Sequence, residues 1–207
     1  MLITFEGIEG SGKSTQVKLL FEYLTGKGLD VVQTREPGGT SLGEGLRDTL
    51  LKRDLNILPL PELLLIMAMR AQLVEEFIKP ALQEGKIVLC DRFADASYAY
   101  QGYGRGIDLG IIENLNRLVT TGIRPNLTVL IDCSVKEGFR RKMNNGFSID
   151  RFEKENTDFH KKIKRAYLKL SKEDAKRFFV VDGQGSIEDI HLKIRQRVDN
   201  LLNNYGI

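Results

Sequence analysis

Gly7-Ile8-Glu9-Gly10-Ser11-Gly12-Lys13-Ser14 is the stretch that decides the fold. Its spacing is G-x-x-x-x-G-K-S, directly behind an apolar run at 2–5 and directly ahead of a helical pattern opening near Thr15. Glycines let a backbone wrap closely around phosphate oxygens, and the N–H groups of such a loop turn inward as an anion nest. The helix that follows adds the positive end of its dipole. Lys13 is then placed to reach the β- and γ-phosphates, and Ser14 to hold Mg²⁺. A turn that merely precedes a helix would not need strand, loop, Lys-Ser pair and helix all in register. A nucleoside triphosphate with Mg²⁺ is expected over Gly7, Ile8, Glu9, Gly10, Ser11, Gly12, Lys13, Ser14 and Thr15.

Outward from the loop, near-continuous apolar runs at 2–5, 31–33, 86–90, 127–133 and 178–181 predict strands buried on both faces. Helical patterns fall at 12–25, 40–53, 60–84, 108–121, 135–145, 152–174 and 186–203, with stops at Gly26, Gly28, Gly85, Gly122 and Gly183. This alternation predicts an α/β fold, a five-stranded parallel sheet flanked by helices in three α/β/α layers, as in P-loop NTPases. Ligands then sit at the carboxyl ends of the strands, and every polar motif here follows a strand end.

The 207 residues suit one domain spanning 1–207, and 42% hydrophobic with 29% charged residues excludes wholesale disorder. A net charge of +3, with both signs interspersed, does not mark a nucleic-acid binder and suits small anionic ligands. No apolar run approaches the roughly 20 residues of a bilayer span, and no signal-peptide pattern opens the chain. Cys90 and Cys133 are too few for a disulfide framework and read as buried free thiols of a cytoplasmic protein. His160 and His191 lie in polar helical stretches and are expected on the solvated surface, which leaves no Cys/His or zinc site.

The loop alone does not fix the fate of the γ-phosphate. A GTPase would carry Asn-Lys-x-Asp after a later strand, where this chain has Asp132-Cys133-Ser134. A motor ATPase would end a strand in an acidic pair, where this chain has Asp91-Arg92. A kinase fits better, with Asp91 holding Mg²⁺ or its water shell and Arg92 gripping a second, phosphorylated substrate. Arg35, within Thr34-Arg35-Glu36-Pro37-Gly38-Gly39-Thr40, and Arg47 join Arg92 near the same sheet edge. Arginine forks match a monophosphate geometrically.

These segments carry a resemblance. Arg35-Glu36-Pro37-Gly38-Gly39-Thr40, Asp91-Arg92-Phe93, Ala99-Tyr100-Gln101-Gly102, Arg124-Pro125-Asn126-Leu127 and Asp150-Arg151-Phe152-Glu153 run nearly end to end. The chain resembles the thymidylate kinase family, which converts dTMP to dTDP with ATP, in its bacterial form without an arginine in the phosphate loop. The resemblance implies that Arg35, Arg47 and Arg92 hold the dTMP phosphate and that Glu9 meets the sugar 3′-hydroxyl. Arg70, Ser97 and Gln101 would read the thymine edge, and Tyr100 would close the place of a ribose 2′-hydroxyl. Glu36 and Asp91 would support Mg²⁺, and the bond before Pro37 would be cis. Ile66 stands where the family usually stacks a Phe on thymine, and Ala96 stands where a Ser is common. The family's strand order puts Cys90 and Cys133 roughly 10 Å apart across the sheet, beyond the ~7 Å Cα limit of a disulfide.

A lid is expected over 140–153, with Arg140, Arg141, Lys142 and Arg151 as candidate transition-state cations, Arg141 foremost. Met143, Asn144 and Asn145 stand where related sequences often carry further arginines. A homodimer is implied, and the apolar stretches 60–84 and 108–121 could supply its interface. Two rivals stay open at this point. A deoxynucleoside kinase would need a base for a neutral 5′-hydroxyl, and a regulatory ATP-binding module would show no dependence on an acceptor.

Overall fold

The apolar runs pair as one parallel sheet in a computed structural model that describes residues 1–144, 151–152 and 154–206. The strands are β1 (Leu2–Glu6), β2 (Val31–Arg35), β3 (Ile87–Asp91), β4 (Leu127–Asp132) and β5 (Phe178–Asp182). Their order is β2-β3-β1-β4-β5, so β1 is central and the loop behind it opens in the middle of the sheet's carboxyl edge. Phe5 pairs with Asp91 and Asp91 with Arg35, which sets these strand ends beside the loop.

Helices cover both faces: α1 (Lys13–Gly26), α2 (Ser41–Leu51), α3 (Pro59–Leu73), α4 (Lys79–Gln83), α5 (Ala94–Ser97), α6 (Leu109–Val119), α7 (Val135–Asn144), α8 (Thr157–Glu173) and α9 (Ile187–Tyr205). Ile3, Phe5, Leu89 and Val129 pack with Leu20 and Leu24 of α1 and with Ile194 and Val198 of α9. Alternate residues Leu2 and Val88 face the other way, onto Leu73, Val74 and Ile78. Each such fully buried side chain contributes roughly 1.5–3 kcal/mol. None of the described helices is long and apolar enough to cross a membrane.

Four differences from the sequence expectation have local causes. The pattern at 60–84 is interrupted by a π-helical turn at Val74–Ile78. Pro80, at the start of α4, has no N–H to continue the ladder. The pattern at 152–174 becomes helix only from Thr157, because the Asn156 side chain caps the N–H of Phe159 at 2.9 Å. Gly183 stops no helix: it follows β5 and donates to the Asp132 carbonyl at 2.8 Å. The unforeseen α5 runs into a second π-helical stretch, Tyr98–Gly104, whose glycine-rich sequence gives little helical signal.

Cys90 and Cys133 are free and buried. Cys90 pairs with Thr4, and Thr4 pairs with Thr128, five residues short of Cys133. That offset adds about 16 Å along the strand to the lateral spacing.

Candidate active site

The phosphate loop closes on itself through backbone that needs glycine. Gly7 has φ +143°, and a Cβ there would come within 2.7 Å of the Ile131 carbonyl. Gly10, at φ +69°, lies so close to Gly138 of α7 that a Cβ would overlap its carbonyl. Gly12 serves as the α1 N-cap without any side-chain acceptor, which leaves the first N–H groups of the helix to a ligand. Lys13 is buried and donates to the Ile8 carbonyl at 2.8 Å. Burial and the neighbouring Arg92 push its ammonium down to about 8. Ser14 donates to Asp91 at 2.5 Å, joining α1 to the end of β3.

In front of the loop lies a cleft of about 870 Å³. Glu9, Gly10, Ser11, Gly12, Lys13, Ser14 and Thr15 line it together with Ile66, Arg70, Ser97, Tyr100 and Gln101. Arg35, Glu36, Arg47, Asp91 and Arg92 complete the lining from the strand ends and α2, and Arg141 and Lys142 join from α7. Gly7 and Ile8, the first two residues of the loop, are not part of this lining. Of the other candidate cations, Arg140 is exposed and pairs with Glu137 at 2.7 Å. Arg151 is not part of the lining; its guanidinium lies 2.8 Å from the buried Glu62. The expected lid residues 145–150 and Glu153 lie outside the described residues.

Arg92 is the hub. It has φ +70°, a left-handed conformation that is costly for a non-glycine residue and recurs at functional sites. Its guanidinium lies 4.8 Å from the Tyr100 ring centroid and donates to the Tyr167 hydroxyl at 3.0 Å and to Glu9 at 3.2 Å. Tyr100 donates its hydroxyl to the same Glu9 oxygen at 2.5 Å. The other Glu9 oxygen lies 3.4 Å from Nδ1 of His160. Burial pushes the Glu9 carboxyl up, but His160, Arg92 and Lys13 outweigh it and hold the group well below the usual carboxylate range.

The histidines are therefore not the solvated pair expected. His160 is 1% exposed and packs edge-on against Phe139, with centroids 4.8 Å apart. His191 is half-buried, edge-on to Tyr23. A polar helical stretch concealed His160, because its partner lies on a distant loop. Gly185, Ser186 and Ile187, which also line the cleft, could have been found by applying the strand-end rule to β5.

Arg70 is 1% exposed, and all five of its N–H groups have protein acceptors. Nε and one Nη grip Glu36 at 2.5–3.0 Å, and the others reach Ser97 at 2.9 Å, Asn116 at 2.6 Å and the Phe93 carbonyl at 3.1 Å. In this arrangement Arg70 shapes the wall and orients Ser97, and it offers no N–H of its own to a base. Glu36 is buried and occupied by Arg70 rather than turned to Asp91. Arg35 is exposed and pairs with Glu44 at 2.8 Å, while Arg47 donates to the Pro37 carbonyl at 2.5 Å. The Glu36–Pro37 bond is cis.

Glu6, at the end of β1, accepts from the Phe93 N–H at 2.8 Å and from the Tyr167 hydroxyl at 2.7 Å. Burial and the nearby Asp95 push its carboxyl up from 4.5 to about 8. Between those values the folded protein keeps a proton that the unfolded chain has lost, so stability falls as pH rises through the window. The unfolding free energy of the wild type, minus that of Glu6→Gln, is expected to fall from pH 4.5 to about 8 and then level. Denaturant titrations across that range check it, and a pH-independent difference would contradict it.

A glycine loop with its lysine behind the central strand, sharing one cleft with arginines from the neighbouring strand ends, defines a phosphate-loop protein. A family model described as thymidylate kinase matches residues 5–194. The chain is 49% identical to the thymidylate kinase of Geotalea daltonii, with 97% of each chain covered. It is 50% identical to that of Pelobacter propionicus, covering 98% of this chain and 95% of the relative. The crystal structure of the Ehrlichia chaffeensis thymidylate kinase superposes with a TM-score of 0.78 at 38% identity, covering 96% of this chain and 98% of that one. The chain belongs to the thymidylate kinase family.

Proposed function

We propose that this cleft holds ATP and dTMP end to end, with the ATP phosphates in the loop at Gly7–Ser14 and the dTMP phosphate among Arg35, Arg47 and Arg92. The observation that carries this is a single cleft lined at once by the loop and by all three arginines. Thymine lies against Ile66, Ser97 and Gln101, and Glu9 meets the sugar. The nucleoside of ATP extends toward Gly185, Ser186 and Ile187. The whole chain acts as one kinase domain.

The family's reaction transfers the γ-phosphoryl group of ATP to dTMP, giving ADP and dTDP. A dTMP phosphate oxygen attacks the γ-phosphorus in line, and the bond to the β-phosphate oxygen breaks. That nucleophile is already anionic, so no general base is needed. Lys13 and Arg92 neutralise charge that grows in the transition state, and Arg141 approaches from α7. Arg141 is already oriented by Glu137 at 2.8 Å and by the Gly183 carbonyl at 2.8 Å.

Ser14 and Asp91 supply a hydroxyl and a carboxylate side by side, which fits Mg²⁺. Among the described residues no three acidic, His or Cys side chains cluster as a metal cage, which suits an ion completed by water and phosphate. Ser14 and Asp91 would hold the ion, whose positive charge would offset that of the phosphates during transfer.

Tyr100 tests the sugar end. Tyr100→Ala is expected to narrow the dTMP preference over its ribo counterpart by roughly 5- to 150-fold, the worth of one unpaired buried hydroxyl. Tyr100→Phe keeps the ring and should keep the ratio. The ring packs against Phe152, Phe159 and Tyr167, so Tyr100→Ala also costs roughly 3–5 kcal/mol of stability. The ratio of kcat/KM values is therefore the readout, and an unchanged ratio in Tyr100→Ala would take Tyr100 out of the sugar site.

A homodimer in the cytoplasm completes the proposal. Leu60 and Leu64 of α3 and Ile111 and Leu118 of α6 are exposed, Leu118 by 72%, on two helices that pack together through Leu63, Met67 and Ile112. Sedimentation equilibrium should give twice the chain mass, and a monomer mass would contradict it.

A further inference from the structure

Glu62 of α3 is completely buried and lies outside the cleft lining, yet polar side chains from two segments converge on it. Gln101 donates its Nε2–H to Oε1 at 2.8 Å. Arg105 approaches with Nε 3.2 Å from each oxygen, and Arg151 brings Nη2 to 2.8 Å. A carboxylate offers acceptor sites only. The Gln101 amide therefore meets Glu62 through its NH₂, and its carbonyl oxygen is the end left for the cleft that Gln101 lines. A glutamine without such a neighbour could present either end.

We infer that Glu62 is a positioning residue that fixes the polarity of the Gln101 amide, making the cleft select a pyrimidine that carries a ring N–H. The inference rests on the proposed placement of the base beside Gln101. Thymine presents a donor at N3, whereas cytosine presents an acceptor there, and acceptor against acceptor leaves buried lone pairs unpaired. Arg70 cannot set this polarity, since its N–H groups are already taken by protein acceptors.

Glu62→Gln can donate as well as accept, so it releases the amide to turn. The ratio of kcat/KM for dTMP to that for dCMP should fall by about 10-fold or more, through a lower KM for dCMP and with KM for ATP unchanged. An unchanged ratio in the folded variant overturns the inference. Arg105→Lys loosens the same buried cluster without touching the bond from Gln101 to Glu62, so it should leave the ratio alone. A fall equal to that in Glu62→Gln would assign the effect to general loosening and overturn the inference as well.

If Glu62→Gln fails to fold, Glu62→Asp takes its place: a fall in the same ratio supports the inference, and an unchanged ratio overturns it. That substitution keeps an anion for both arginines while drawing it about 1.5 Å from Gln101. Gln101→Leu separates the placement of the base from the role of Glu62. Undiminished kcat/KM for dTMP in that variant would remove the base from Gln101 and the inference with it. A loss there, with the ratio unchanged in Glu62→Gln, would overturn the role of Glu62 alone.

Discussion

Lys13→Ala is expected to lower kcat for phosphoryl transfer by at least ~100- to 1000-fold, the usual cost of losing one preorganised charge on the transferring group. Lys13 already bridges the loop from α1 to the Ile8 carbonyl, so its ammonium stands inside the anion nest before any ligand arrives. The fold should not suffer. Burial pushes the ammonium down to about 8, which means the folded protein holds this charge less readily than the unfolded chain does. Removing it should leave the melting temperature of the free protein unchanged or higher. A coupled assay and a thermal melt on the same preparation check both halves, and turnover near wild type would take Lys13 out of the chemistry.

Arg92→Ala is expected to cost at least ~100-fold in kcat/KM for dTMP, and Arg92→Lys to recover only part of it. A lysine has one charge to offer where the guanidinium fork reaches Glu9 and the Tyr167 hydroxyl together and lies against the Tyr100 ring. The loss should appear in KM for dTMP as well as in kcat, because the group serves the acceptor phosphate before and during transfer. KM for ATP should move little. Steady-state kinetics with each substrate varied in turn decide it, and a KM for dTMP equal to wild type would move the acceptor phosphate away from Arg92.

How much of this was legible in the sequence depends on how local each feature is. The loop at Gly7–Ser14, the five apolar strands and Arg35, Arg47 and Arg92 were all readable, because spacing and strand-end position are properties of short segments. Features made by distant pairs were not. His160 carries no mark of the carboxylate it meets on the phosphate loop, 151 positions earlier in the chain. Arg151 has the composition of a lid cation, and only the folded structure shows it tied to Glu62 from α3. Arg70 could be placed beside the base by resemblance, but the full engagement of its five N–H groups depends on Glu36, Ser97, Phe93 and Asn116 converging from three other segments. The π-helical turns were hidden for different reasons: Pro80 sits inside an apolar pattern whose period it leaves intact, while the glycines within Tyr98–Gly104 leave little helical signal at all.

The measurement that tests the central claim most directly is ADP formation from ATP and Mg²⁺ against a panel of acceptors: dTMP, thymidine, dCMP, the ribo counterpart of dTMP, and none. Rapid ADP formation is expected with dTMP, together with equimolar dTDP by phosphorus NMR. Little turnover is expected with thymidine, which brings a neutral hydroxyl and no phosphate for the three arginines, and little with water alone. ADP formation that is fastest with thymidine, or that proceeds equally well with no acceptor, would contradict the assignment.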